Sequence, residues 1–130
     1  MPGRPTLISK VVPAAEILRV LEAFPAFLLA RGIEECRVMH GWGSDLPIDA
    51  LWKPVAIRVQ EIAAFVESAS ACRDFLAGNS DLYFEVTVPS AEFLICHESD
   101  IHLKTEDREL MGAFREFLES LGIPVIHVST

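Results

Sequence analysis

No stretch of this chain holds the roughly 18 consecutive apolar residues that a bilayer-spanning helix requires. Met1 to Lys10 carries Arg4 and Lys10 but no apolar core of secretory-signal length, so export is not expected. Cysteine is scarce: Cys36, Cys72 and Cys96 are three in number and widely spaced. An odd count at such spacings implies no disulfide framework, and reduced thiols in a cytosol fit it best. Basic residues are also in the minority. Eleven Lys and Arg stand against nineteen Asp and Glu, for a formal net charge of −8. The basic residues are scattered, without the stripe that neutralises phosphates in nucleic-acid binders. An anionic membrane surface would repel the chain for the same reason. Repeats, low-complexity tracts and long linkers are missing, so residues 1–130 are expected to form one domain.

Apolar residues make up 51% of the chain, enough to build a packed core rather than a disordered coil. Thr6–Val12 reads as an edge strand. Pro13 suits the start of a helix, and Ile17, Leu18, Leu21 and Phe24 recur at helical spacing. Pro25 is expected to end that helix near Phe24, with a further turn or two before Gly32. Cys36 and Val38 alternate with charged neighbours, which suggests a strand over 33–40. Val55, Val59, Ile62 and Val66 lie on one helical stripe, and the helix is expected to run through 55–70 and on through 72–77.

The strongest strand pattern follows. Leu82, Phe84, Val86 and Val88 alternate with Tyr83, Glu85 and Thr87, one face buried and one wet. Pro89-Ser90 makes a turn too short for a parallel crossover, so the next strand, 92–97, must run antiparallel. That strand is apolar on both faces and belongs in mid-sheet. Ile101 and Leu103 start a third. Thr105 is placed to cap a last helix whose stripe is Leu110, Met111, Phe114, Phe117, Leu118 and Leu121, ended by Gly122 and Pro124. Val125–Val128 makes a final strand. The sum is an α+β fold: a mixed, mainly antiparallel sheet with a central meander over 82–104, packed by two or three helices.

Cys96-His97-Glu98-Ser99-Asp100-Ile101-His102 is the densest run of chemistry-bearing side chains. A three-residue turn over 98–100 would oppose Cys96 to His102, with Cβ atoms about 5 Å apart. Such a pair suits a thiolate activated by an imidazolium. It also suits two ligands of a zinc site, assisted by Asp100 or Glu98. No other cofactor is implied. The opposing reading is structural: a buried cysteine packs as a small hydrophobe, 98–100 are ordinary turn residues, and His102 shares its face with Lys104. His97 faces the other way and is expected beside Phe93 and Ile95.

Two further features suit a protein partner. Trp42 sits in the glycine loop His40-Gly41-Trp42-Gly43-Ser44-Asp45, either as a binding anchor with Asp45 or folded back as a lid on the core. Glu109 and Glu116 belong to an acidic face of the last helix that would attract a basic protein. No Gly-x-Ser-x-Gly elbow or P-loop spacing is present. The leading expectation is therefore a small acidic cytosolic binding domain without catalysis, inhibitory in the manner of immunity proteins. The alternative is a metal- or thiol-dependent enzyme centred on Cys96 and His102. The high apolar fraction also allows a homodimer.

Overall fold

A computed structural model describes residues 4–129. Strand β1 (Thr6–Ser9) leads into α1 (Ala14–Ala30), β2 (Glu35–His40) and β3 (Val55–Arg58). Then come α2 (Ile62–Ala71), β4 (Leu82–Thr87), β5 (Ser90–Ile95), β6 (Ile101–Thr105), α3 (Arg108–Ser120) and β7 (Val125–Val128). The strands form one seven-stranded sheet in the order β3-β2-β4-β5-β6-β1-β7. Every neighbouring pair is antiparallel. The fold is α+β, with the meander β4-β5-β6 at its centre.

Period-two alternation gives the sheet two unlike faces. Leu7, Val38, Phe84, Phe93 and Leu103 are buried on one face, in a core shared with Ile17 and Leu28 of α1, Val66 of α2 and Leu118 of α3. Its centre is aromatic: the Phe24 ring lies 5.2 Å from Phe84 and 5.0 Å from Phe93, and Phe93 lies 5.0 Å from Phe114. These edge-to-face contacts add to the area they bury. Among the described residues no α-helix packs on the opposite face. A row of opposed residues crosses it through Met39, Tyr83, Leu94, His102 and Ile8. A second row runs through Arg37, Glu85, Glu92, Lys104 and Thr6.

Several local expectations are corrected. Helix α1 does not stop at Phe24 but continues through Pro25 to Ala30. The missing N–H costs about 3 kcal/mol in a helix interior. Carrying the stripe on to bury Leu28 and part of Phe27 returns about 1.5–3 kcal/mol for each fully covered side chain. Residues 55–58 are strand rather than helix, because β-branched Val55 and Ile57 pair with Val38 and Cys36 on β2. Residues 72–77 leave the helix: Arg73 takes a left-handed φ of 65°, and the turn drives Phe75 into the core. Strand β1 is not an edge, since it lies between β6 and β7. Asp107, not Thr105, caps α3, its side chain accepting the Leu110 N–H at 2.8 Å. Gly122 ends α3 as expected, at a left-handed φ of 80°.

Candidate functional site

The loops that follow β2 and precede β4 meet at one end of the sheet. Gly43 has φ +81°, and a Cβ there would sit 2.0 Å from the Asn79 carbonyl oxygen. Only glycine lets these two loops pack so closely. They are also tied together by hydrogen bonds: the Trp42 carbonyl accepts the Asp81 N–H at 2.7 Å, and the Gly43 carbonyl accepts the Ser80 hydroxyl at 2.8 Å. Trp42 is therefore mounted on fixed backbone, yet it stays 65% exposed. It is not a lid on the core.

Its neighbour is Trp52, itself 42% exposed. The two indoles meet edge to face at 6.2 Å, and Trp52 lies 6.0 Å from the Tyr83 ring on the helix-free face. Gly41 makes room for this, since a Cβ there would come 2.6 Å from the Trp52 ring. Trp52 takes a φ of 63°, unusual for a bulky residue, and its N–H donates to the His40 carbonyl at 2.8 Å.

The β5–β6 hairpin reaches the same end. Its turn is His97-Glu98-Ser99, one residue earlier than expected, closed by Cys96 N–H to Asp100 C=O at 2.9 Å. Ser99 supplies the left-handed residue, φ 68°, that three-residue hairpin loops need. Ile95 thus opposes Ile101, and His102 opposes Leu94 rather than Cys96. The shift amounts to two residues across the pair, so facing is preserved. Cys96, Asp100 and His102 project together on the helix-free side, with potential ligand atoms all within 4.8 Å of one another. Asp100 is only 9% exposed. His102 Nε2 lies 3.1 Å from Asp100 Oδ2 without making a hydrogen bond. Both that nitrogen and Asp100 Oδ1 are buried and unpartnered.

His97 does not pack beside Phe93 and Ile95. It turns outward to Asp81, whose Oδ1 lies 2.8 Å from His97 Nδ1 and accepts the His97 backbone N–H at 2.6 Å. This hydrogen bond raises the His97 pKa against the opposing effect of burial, and the charges of Asp81, Glu98 and Asp100 add to the rise. Cys96 behaves otherwise. Burial pushes its thiol up to about 12, and the Asp100 and Asp81 carboxylates add to this. The Glu98 N–H, 3.5 Å from Sγ, pulls the other way. His97 Nδ1 lies 3.9 Å from Sγ, yet burial prevails and the thiol stays protonated at neutral pH, which is unfavourable for a nucleophile. Glu98 stays out in solvent, 3.8 Å from His97 Nε2.

The expected partner residues are divided. Trp42 and Asp45 lie at the tryptophan corner, with Asp45 3.8 Å from Arg73. Glu109 and Glu116 are exposed on α3, in the helical layer on the other side of the sheet. Three contributors were not anticipated. Asp81 falls in the turn-like run 78–81, Tyr83 has the pattern of a wet strand position, and Trp52 lies in a stretch without periodicity. A usable signal existed for Trp52, since it is the second of only two tryptophans and stands ten residues after the first. Comparison with protein families, with curated proteins and with solved structures finds no match.

Proposed function

We propose that this chain is a non-catalytic binding domain that docks through its tryptophan corner onto a protein presenting a basic surface. The observation that carries the reading is Trp42, a large aromatic held in solvent by a backbone that is itself fastened in place. Exposed aromatics on rigid supports are the usual anchors of protein interfaces, because little freedom is lost when they bind. Charge selects the partner. The chain carries −8, and Asp45, Asp49, Asp74 and Glu98 belong to the loops at this end, against Lys53 and Arg73. A partner's arginine or lysine would meet carboxylates around the indoles and ring faces on them. An acidic domain seated on a basic catalytic or nucleic-acid-binding surface would block it, which is the inhibitory form of the same activity.

The test places a photo-crosslinking residue at position 42 in cells, with position 116 on α3 as reference. The protein captured from position 42 is then purified and titrated against wild type and Trp42→Ala. The expected result is a basic partner, bound more weakly at high salt and about 30-fold more weakly by the variant. Capture from position 116 alone, an unchanged affinity for Trp42→Ala, or a second copy of this chain as the captured protein would overturn the reading.

A further inference from the structure

We propose that Cys96, Asp100 and His102 form a binding site for a zinc-class divalent transition metal, separate from the tryptophan corner and independent of any partner. Three donor types converge here from the two strands of one hairpin: a sulfur, a carboxylate oxygen and an imidazole nitrogen, within 4.8 Å of each other. Tetrahedral zinc places such donors at about 2.0–2.3 Å from the ion, so ligand atoms stand roughly 3.5 Å apart. Small side-chain rotations close the gap, because all three residues already share one face of the sheet.

An independent observation points to a ligand. Asp100 Oδ1 and His102 Nε2 are both buried without a hydrogen-bond partner. An unpaired buried polar atom costs about 1–3 kcal/mol, and two side by side need an explanation. A cation bound beside the thiol would satisfy both atoms, which the 3.1 Å approach of His102 Nε2 to Asp100 Oδ2 does not do by hydrogen bonding. The chemistry also narrows the ion. Sulfur and nitrogen donors disfavour calcium and magnesium, which take oxygen shells, and favour zinc or its neighbours. The Glu98 N–H, 3.5 Å from Sγ, is placed to stabilise a thiolate once the ion displaces its proton to solvent. Asp81, Cys96 and His97 form a second such trio around the same sulfur, but Asp81 and His97 already satisfy each other at 2.8 Å, whereas Asp100 Oδ1 and His102 Nε2 have no hydrogen-bond partner. Three protein ligands leave the fourth position to water.

Cobalt(II) is the probe. Full-length reduced protein, stripped with a chelator, is titrated with Co²⁺ and then with Zn²⁺ in competition. Wild type is expected to show one equivalent of tetrahedral cobalt with a thiolate-to-metal charge-transfer band, which zinc abolishes. Cys96→Ser should lose the band. The near-isosteric Asp100→Asn and His102→Gln, checked for folding by circular dichroism, should bind at least tenfold more weakly. His97→Gln and Cys72→Ser should match wild type. The inference is overturned by absence of a thiolate band, or by a band that depends on the exposed Cys72. It is equally overturned by a band lost in His97→Gln but kept in His102→Gln.

Discussion

The carboxylate of Asp81, only 2% exposed, holds His97 at two points: Oδ1 accepts the backbone N–H at 2.6 Å and lies 2.8 Å from Nδ1. Asp81→Ala leaves both groups without their acceptor. A loss of about 1.5–3 kcal/mol in urea unfolding is expected, the range for hydrogen bonds to a charged group. In Asp81→Asn the His97 pKa, followed by NMR titration, should fall back toward 6.5. The sign for stability follows from linkage. A histidine with a raised folded-state pKa contributes fully below pH 6.5 and loses that contribution as pH rises through the raised value. Wild type should therefore lose more stability than Asp81→Asn over that window.

The loop that carries Trp42 separates binding from folding. Trp42→Ala removes an exposed side chain and should leave stability within about 0.5 kcal/mol. Gly43→Ala puts a Cβ 2.0 Å from the Asn79 oxygen at a left-handed φ. It should cost at least ~2 kcal/mol, more than the left-handed penalty alone. Thermal melts of the two variants side by side would check this. Equal effects would mean that the loop is not clamped.

Phe114 joins α3 to the sheet through Phe93 at 5.0 Å and to α1 through Phe24 at 6.4 Å. Phe114→Ala should cost about 3–5 kcal/mol in denaturant unfolding, since three elements would line the cavity it leaves. A loss under ~1 kcal/mol would show that the site collapses freely.

His40 titrates in the opposite sense to His97. Burial lowers its pKa, while the charge and backbone of Asp74 partly oppose the shift. Its ring lies 5.5 Å from Phe65 in a cleft lined also by Asp49, Lys53 and Asp74. A base with a depressed folded-state pKa contributes fully above pH 6.5 and loses that contribution as pH falls toward the lowered value. On going from pH 7.5 to pH 5 the urea midpoint should fall less, or rise more, in His40→Phe than in wild type, because the opposite contribution of His97 remains. An unchanged pH slope in the variant would rule His40 out as the source.

What the sequence disclosed depended on how local the cause was. The β4–β5 pairing and the α3 stripe rest on strict periodicity and a short turn, and both were readable. The helix through Pro25 was not, because the burial that offsets the proline comes from elements far along the chain, Phe114 and Phe117 of α3 among them. Residues 55–58 carried a helical spacing, but pairing with β2 decided them. In the candidate site, Cys96 and His102 were foreseen on one face although their register was misplaced, since side-chain facing survives a shift of two. Asp81 and Trp52 could not be assigned from local pattern: their roles exist only where three loops converge.

The first and last described strands bear on how the molecule can be handled. Thr6 and Ser129 hydrogen-bond to each other at 2.8 Å in both directions, so the first and last described strands begin and finish at one corner. Trp42 follows β2, five strand spacings from β7, roughly 24 Å across the sheet and at the opposite end of the strands. A surface tether placed beside Thr6 or Ser129 would leave from the far diagonal. The indoles would stay free on a protein immobilised through that corner.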